Sequence, residues 1–90
     1  MAVIKATDIL AEVTRAKARV ASAHTFFGAS CSPEDRIKLQ AQLEQTAQQL
    51  ADYVRKLPMA VQNKQAKACS AAKGYVTHIR EVEIPRVWGK

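Results

Sequence analysis

Apolar residues recur three and four positions apart in three segments of the chain, and this spacing predicts three helices. Residues at these intervals share one face of an α-helix, so each segment has an apolar seam that must be buried. The seams are Ile9, Val13, Ala16, Val20, Ala23 and Phe27; Leu39, Leu43, Leu50 and Leu57; and Val61, Ala68, Ala72, Tyr75, Ile79 and Val82. They predict an all-α fold: an antiparallel three-helix bundle, or a helical hairpin with an angled third helix.

Capping and helix-breaking residues predict where the helices begin and end. The first helix is expected from about Asp8 to Phe27, with Gly28 closing it in the left-handed conformation that commonly ends helices. The second begins after Ser32, whose hydroxyl can cap backbone N–H groups, with a proline in the first helical position. It ends near Leu57, because the proline that follows disfavours helical geometry at the residue before it.

The third helix is expected from about Met59 to Val82. The link before it is very short, which favours an antiparallel hairpin over a kink between two nearly continuous helices. Pro85 is expected to end helical structure, so residues 84–90 are predicted to form a short extended C-terminal tail after a bundle domain of residues 1–83. Trp88, the only tryptophan, lies in that tail. It either folds back over the bundle or is available to a partner.

Composition limits the core that these helices can build. Of the 90 residues, 16 are alanine and 7 are glutamine, a mixture that favours helix and contributes little bulk. A core of this size typically provides about 3–5 kcal/mol of stability and leaves little room for an enclosed active site. Binding to a larger protein, or assembly into a homo-oligomer, adds buried area, and one of the two is expected.

The net charge of +6 is concentrated in the last third of the chain. Residues 58–90 contain six basic and two acidic side chains, whereas residues 32–57 contain four of each. This excess favours a larger protein with an acidic surface as the partner, or nucleic acid. The residues predicted to bind the partner are Lys64, Lys67, Lys73, Arg86 and Trp88, and in an extended tail the last two point the same way.

No pattern of catalytic or metal-binding residues is found in the sequence. His24 and His78 belong to no recognised motif, and together with Cys31 and Cys69 they lack the spacing of a structural zinc site. We therefore expect no enzymatic activity, no cofactor and no metal. The chain has no apolar run long enough for a membrane span, and two cysteines without C-x-x-C spacing favour a reducing compartment. A cytoplasmic protein without a membrane partner is expected.

These observations favour a small non-enzymatic protein–protein interaction module. It is expected to act as an adaptor or inhibitor of a larger intracellular protein or nucleoprotein, as accessory factors of bacteriophages and mobile elements do. The alternative is a basic helical protein that binds nucleic acid. Against that alternative, the basic stripe that begins at Lys64 and Lys67 is interrupted by Ala71 and two acidic residues.

Overall fold

The computed structural model describes residues 4–27 and 32–88, and within these ranges the chain is helical and has no β-strand. The helices are α1 (Ala6–Phe27), α2 (Pro33–Lys56), α3 (Met59–Lys64), α4 (Ala66–His78) and α5 (Ile84–Trp88), and a π-turn (Ile79–Glu83) joins α4 to α5. They pack into a rod with principal extents of 47 × 20 × 16 Å. The predicted all-α fold is confirmed.

Side-chain contacts between helices show the direction of each one. The contacts of α2 with the C-terminal segment are Gln48–Arg80 and Gln40–Trp88, and those of α1 with the same segment are Lys17–Tyr75 and His24–Glu83. Residue numbers increase in opposite directions along α2 and the C-terminal segment. They increase in the same direction along α1 and the C-terminal segment. The protein is therefore an up-down-up three-helix bundle, in which α2 is antiparallel both to α1 and to the helical segment from α3 to α5. Residues 57–58 form the hairpin between α2 and α3.

The core lies where the three predicted seams meet. Ile9, Leu43 and Ile79, one from each seam, are fully buried. The buried surface is wider than the seams predicted, because Val54 and Val76 are buried as well. An apolar stripe about 100° wide includes such flanking positions.

The ends of α2 are formed largely as predicted. The Ser32 hydroxyl accepts a hydrogen bond from the backbone N–H of Asp35 at 3.2 Å, so the predicted N-cap is confirmed. At the other end Leu57 and Pro58 are extended, and the side-chain amide of Gln62 donates to the Leu57 carbonyl at 2.9 Å. Gly28, predicted to close α1, lies outside the described residues.

The prediction for the last third of the chain was wrong in two respects. The helix expected over 59–82 is interrupted at Gln65, and helical structure continues through Pro85 to Trp88, so residues 84–88 are not an extended tail. Residues 89 and 90 lie outside the described part of the chain. A proline inside a helix supplies no N–H to the i→i−4 ladder. In the π-turn just before it, the N–H of Ile84 bonds to the Ile79 carbonyl five residues back, which loosens that ladder next to Pro85.

The π-turn also decides which side chains of the last segment face the core. In an uninterrupted α-helix Glu83 and Arg86, four and seven positions after Ile79, would continue the buried seam. The π-turn adds one residue, which changes the phase of everything after it by about 100°. Val87 consequently occupies the core and Arg86 is exposed, whereas Glu83, within the π-turn itself, is buried at its contact with His24 of α1.

Candidate protein-binding groove

A groove with an apolar floor and a basic rim runs between α2 and α4. Its floor is formed by Ala51, Val54, Met59 and Val76, its rim by Arg55, Lys73 and Arg80, and its volume is about 540 Å³. Lys73 on α4 and Arg80 in the π-turn are seven residues apart and thus share one side of the helical segment. That side lies next to the buried seam, so the two exposed cations flank apolar side chains.

The rim carries little neutralising charge. Arg55 is paired with Asp52 on its own helix at 2.7 Å, and Arg80 donates a hydrogen bond to the neutral Gln48 at 3.1 Å. Within the described residues, neither Lys73 nor Arg80 has an acidic partner within 4.0 Å. Two cations are therefore directed at solvent beside an apolar floor.

The groove continues between α2 and α5, and Arg80 lines both halves. Ala41 and Ile84 provide apolar surface in this second half, which contains one acidic residue, Glu44. At its end the indole N–H of Trp88 donates to the side-chain oxygen of Gln40. Ile37, one turn before Gln40 on the same side of α2, is 60% exposed, and Trp88 is 46% exposed. We call both halves together the α2–α4 groove.

The structure brings only two of the five predicted partner-binding residues to this groove. Lys73 lies on the rim and Trp88 at the far end. Lys64 and Lys67 are exposed elsewhere, and Lys67 lies about 120° around the helix from Lys73 because six residues separate them. Arg86 is 3.7 Å from Glu83 on the side facing α1. The expectation that it points the same way as Trp88 was wrong, because both residues are helical.

Sequence reasoning missed four of the groove's side chains. Arg55 and Arg80 are on its rim, while Met59 and Ile37 are exposed apolar residues on its floor and at its end. The seven-residue spacing between Lys73 and Arg80 was a signal that could have found one of them. Which side of α2 lies opposite Lys73 and Arg80 depends on how the helices pack, and no local sequence pattern predicts it.

A second cluster joins α1 to the π-turn around a single carboxylate. The Nε2 of His24 is 2.7 Å from Glu83 Oε2, and the Nε2 of His78 is 3.4 Å from Oε1. A carboxylate only accepts hydrogen bonds, so the His24 imidazole donates, while His78 lies within ion-pair distance. The His78 ring stacks on Tyr75 with centroids 5.7 Å apart, and the Lys17 ammonium lies 5.6 Å from the Tyr75 ring centre. The Glu83 carboxylate thus links α1, through His24, to the end of α4, through His78.

The two tyrosines next to the bundle core have perturbed acidity. Burial raises the pKa of the Tyr75 phenol above its ordinary value of 10.0, and the nearby Glu83 carboxylate raises that pKa further. Burial also raises the pKa of Tyr53 on α2, and the carboxylates of Glu12 and Asp8 add to the effect. Both phenols are therefore neutral over the physiological range.

The His24 cluster is not arranged as a metal centre. Across residues 4–27 and 32–88, no group of three or more histidine, cysteine or acidic side chains is placed to hold a metal ion. Cys69 is a buried free thiol, and Cys31 lies outside the described residues. The geometry around Glu83 supports a structural contact between α1 and the π-turn.

Comparisons with known proteins find no matching family model, no matching curated protein and no matching solved structure. In the part of the chain that the structure describes, no helix combines the length and apolar character that crossing a membrane requires.

Proposed function

We propose that this protein is a small non-enzymatic interaction module that binds an acidic surface of a larger protein through the α2–α4 groove. The observation that carries the proposal is the pair Lys73 and Arg80, which flank an apolar floor and have no acidic partner among the residues that the structure describes. Interfaces combine an apolar centre with a charged rim, and unpaired rim charges speed association with a surface of opposite sign. Such a module acts as an adaptor or an inhibitor, including as an accessory factor of a phage or mobile element.

An apolar floor favours protein over nucleic acid as the partner. Met59 is 68% exposed beside the buried Val54 and Val76, and aliphatic side chains of this kind pack against other side chains and not against phosphates. Binding to duplex nucleic acid relies on basic residues gathered on one face. Here Lys38 on α2 and Lys67 on α4 are exposed outside the groove, so the positive charge surrounds the bundle.

Charge reversal in the groove tests this function. The double variant Lys73→Glu/Arg80→Glu and the control Lys38→Glu/Lys67→Glu change the net charge equally, and only the first pair lies in the groove. Each protein is immobilised and exposed to an extract of the native host, with and without nuclease. Circular dichroism first establishes that both variants are folded.

The proposal predicts that the wild type and the control capture the same host protein in similar amounts. The groove variant should capture about tenfold less of it, or even less than that. Capture should weaken with added salt and be insensitive to nuclease. Loss of capture after nuclease treatment would support the nucleic-acid alternative. Equal capture by the groove variant and the control would remove the groove from the interface.

A further inference from the structure

The α2–α4 groove has the shape of a seat for one additional helix. It is bounded by two antiparallel helices, and its lining on α2 extends from Ala41 to Arg55. These 14 positions correspond to about 21 Å of helix axis. A helix laid between α2 and α4 would be the fourth helix of a four-helix bundle whose other members are already present. A peptide that adds as a β-strand would need a sheet edge for its backbone hydrogen bonds, and the described residues contain no strand.

The distribution of charge along the groove specifies the sign of its occupant. In the half near Met59, the rim cations are Lys73 and Arg80, with Arg55 held by Asp52. In the other half, Glu44 offsets the charge of Arg80, which lines both halves, and the exposed Ile37 and Trp88 lie at the end. An occupant that complements this surface has an apolar stripe along its full length and acidic side chains in the half that lies beside Lys73 and Arg80.

A second copy of this chain does not meet that requirement. Two copies related by a twofold axis present the same patch to each other. In the antiparallel arrangement, Lys73 and Arg80 of each copy would face the half of the other groove that contains Glu44 and Arg80, which has no net negative charge. In the parallel arrangement the basic halves would face each other, and like charges across an interface are unfavourable. Charge complementarity therefore selects a different chain.

We infer that the α2–α4 groove binds an acidic amphipathic α-helix of about four turns that belongs to the partner protein. The occupant lies antiparallel or parallel to α2 with its apolar stripe on Val76, Met59 and Ile84. Its carboxylates pair with Lys73 and Arg80. This inference rests on the proposed function and adds the class of partner surface to it.

The test uses a synthetic peptide of 18 residues with leucine at helical spacing and glutamate on the flanking positions of one half. Two control peptides are a scramble of identical composition, which has no apolar stripe, and a version with lysine in place of every glutamate. Trp88 is the only tryptophan and lies at the end of the groove, so its fluorescence reports binding without a label. Circular dichroism of the mixture reports helix formation by the peptide.

The inference predicts that the amphipathic peptide changes Trp88 emission and gains helix on binding, while both control peptides bind at least about tenfold more weakly. Lys73→Glu/Arg80→Glu should weaken binding about tenfold or more, and Lys38→Glu/Lys67→Glu should leave it within about twofold. Ile37→Ala should weaken it too, whereas Phe26→Ala, which removes an 80% exposed aromatic outside the groove, should not.

Three results would overturn the inference. The first is equal binding of the amphipathic peptide and its scramble, which would show that charge alone is recognised. The second is a homodimer in sedimentation that Lys73→Glu/Arg80→Glu dissociates or strengthens, because the groove would then hold a second copy. The third is no peptide binding by a protein that still captures a host protein through Lys73 and Arg80. That last result leaves the proposed function standing and removes only the helical occupant.

Discussion

Glu83→Gln tests the energetic contribution of the carboxylate that joins α1 to the π-turn. The variant keeps the size of the side chain and one acceptor oxygen, but it removes the charge that accepts the hydrogen bond of His24 and lies within ion-pair distance of His78. Hydrogen bonds to charged groups contribute about 1.5–3 kcal/mol when buried, and exposed ion pairs contribute about 0–1 kcal/mol. The Glu83 side chain is 12% exposed and that of His24 is 38% exposed. This intermediate burial predicts a loss of about 1–1.5 kcal/mol in the free energy of unfolding.

Thermal and urea unfolding followed by circular dichroism measure this loss. For a domain of this size, 1 kcal/mol corresponds to a decrease of about 4–8 °C in Tm. The control is Glu81→Gln, which removes the same charge from an exposed residue of the same π-turn and should change stability by less than about 0.5 kcal/mol. Combining His24→Gln with Glu83→Gln should cost less than the sum of the single changes. If Glu83→Gln and Glu81→Gln are equally stable, the contact does not stabilise the bundle.

Three further predictions concern the core, the cap of α2 and the tyrosines. Leu43→Ala, which empties a fully buried position, should cost about 3 kcal/mol in urea unfolding, whereas Ile37→Ala at an exposed position should cost less than about 0.5 kcal/mol; similar losses for the two would show that the core is misplaced. Ser32→Ala should lower the free energy of unfolding by about 1 kcal/mol, and Ser32→Asp should restore it; no loss in Ser32→Ala would argue against the cap. Because burial and nearby carboxylates raise the pKa of Tyr53 and Tyr75 in the folded state, unfolding releases their protons more readily above pH 10.0. Their contribution to stability is fully present below that pH and is lost as pH rises through the folded pKa; phenolate absorbance and stability from pH 9 to 12 should show this, and Tyr75→Phe should reduce the decline.

The sequence carried enough information for the helices and their buried faces, because these depend on local spacing. Ile9, Leu43 and Ile79 follow from the periodicity alone, and the cap at Ser32 follows from the residue types around it. Pro85 was the point of failure. Local rules end a helix there, but packing of Val87 into the core and contacts of Glu83 with α1 favour a continued helix with a π-turn. Those contacts join residues far apart in sequence.

The candidate groove was only partly predictable for a related reason. Charge counting identified the basic last third and Lys73 within it, and Trp88 was selected as the only tryptophan, in a segment predicted to fold back over the bundle or to bind a partner. The groove exists only when α2 and α4 lie side by side, because Arg55 and Arg80 come from different helices. The spacing of apolar residues within one segment predicts neither which helices pack together nor which side of α2 remains exposed.

The π-turn contains one residue more than an α-helix would need to cover the same length of helix axis. A chain lacking Glu81 and carrying Pro85→Ala could follow the same path as an ordinary α-helix, with Val87 seven positions after Ile79 and still on the buried side. Loss of Ser70 from the middle of α4 would instead rotate all later residues by about 100° and remove them from the core. Among chains that share this fold, a difference of one residue in length is therefore expected within positions 79–83 and excluded from α4.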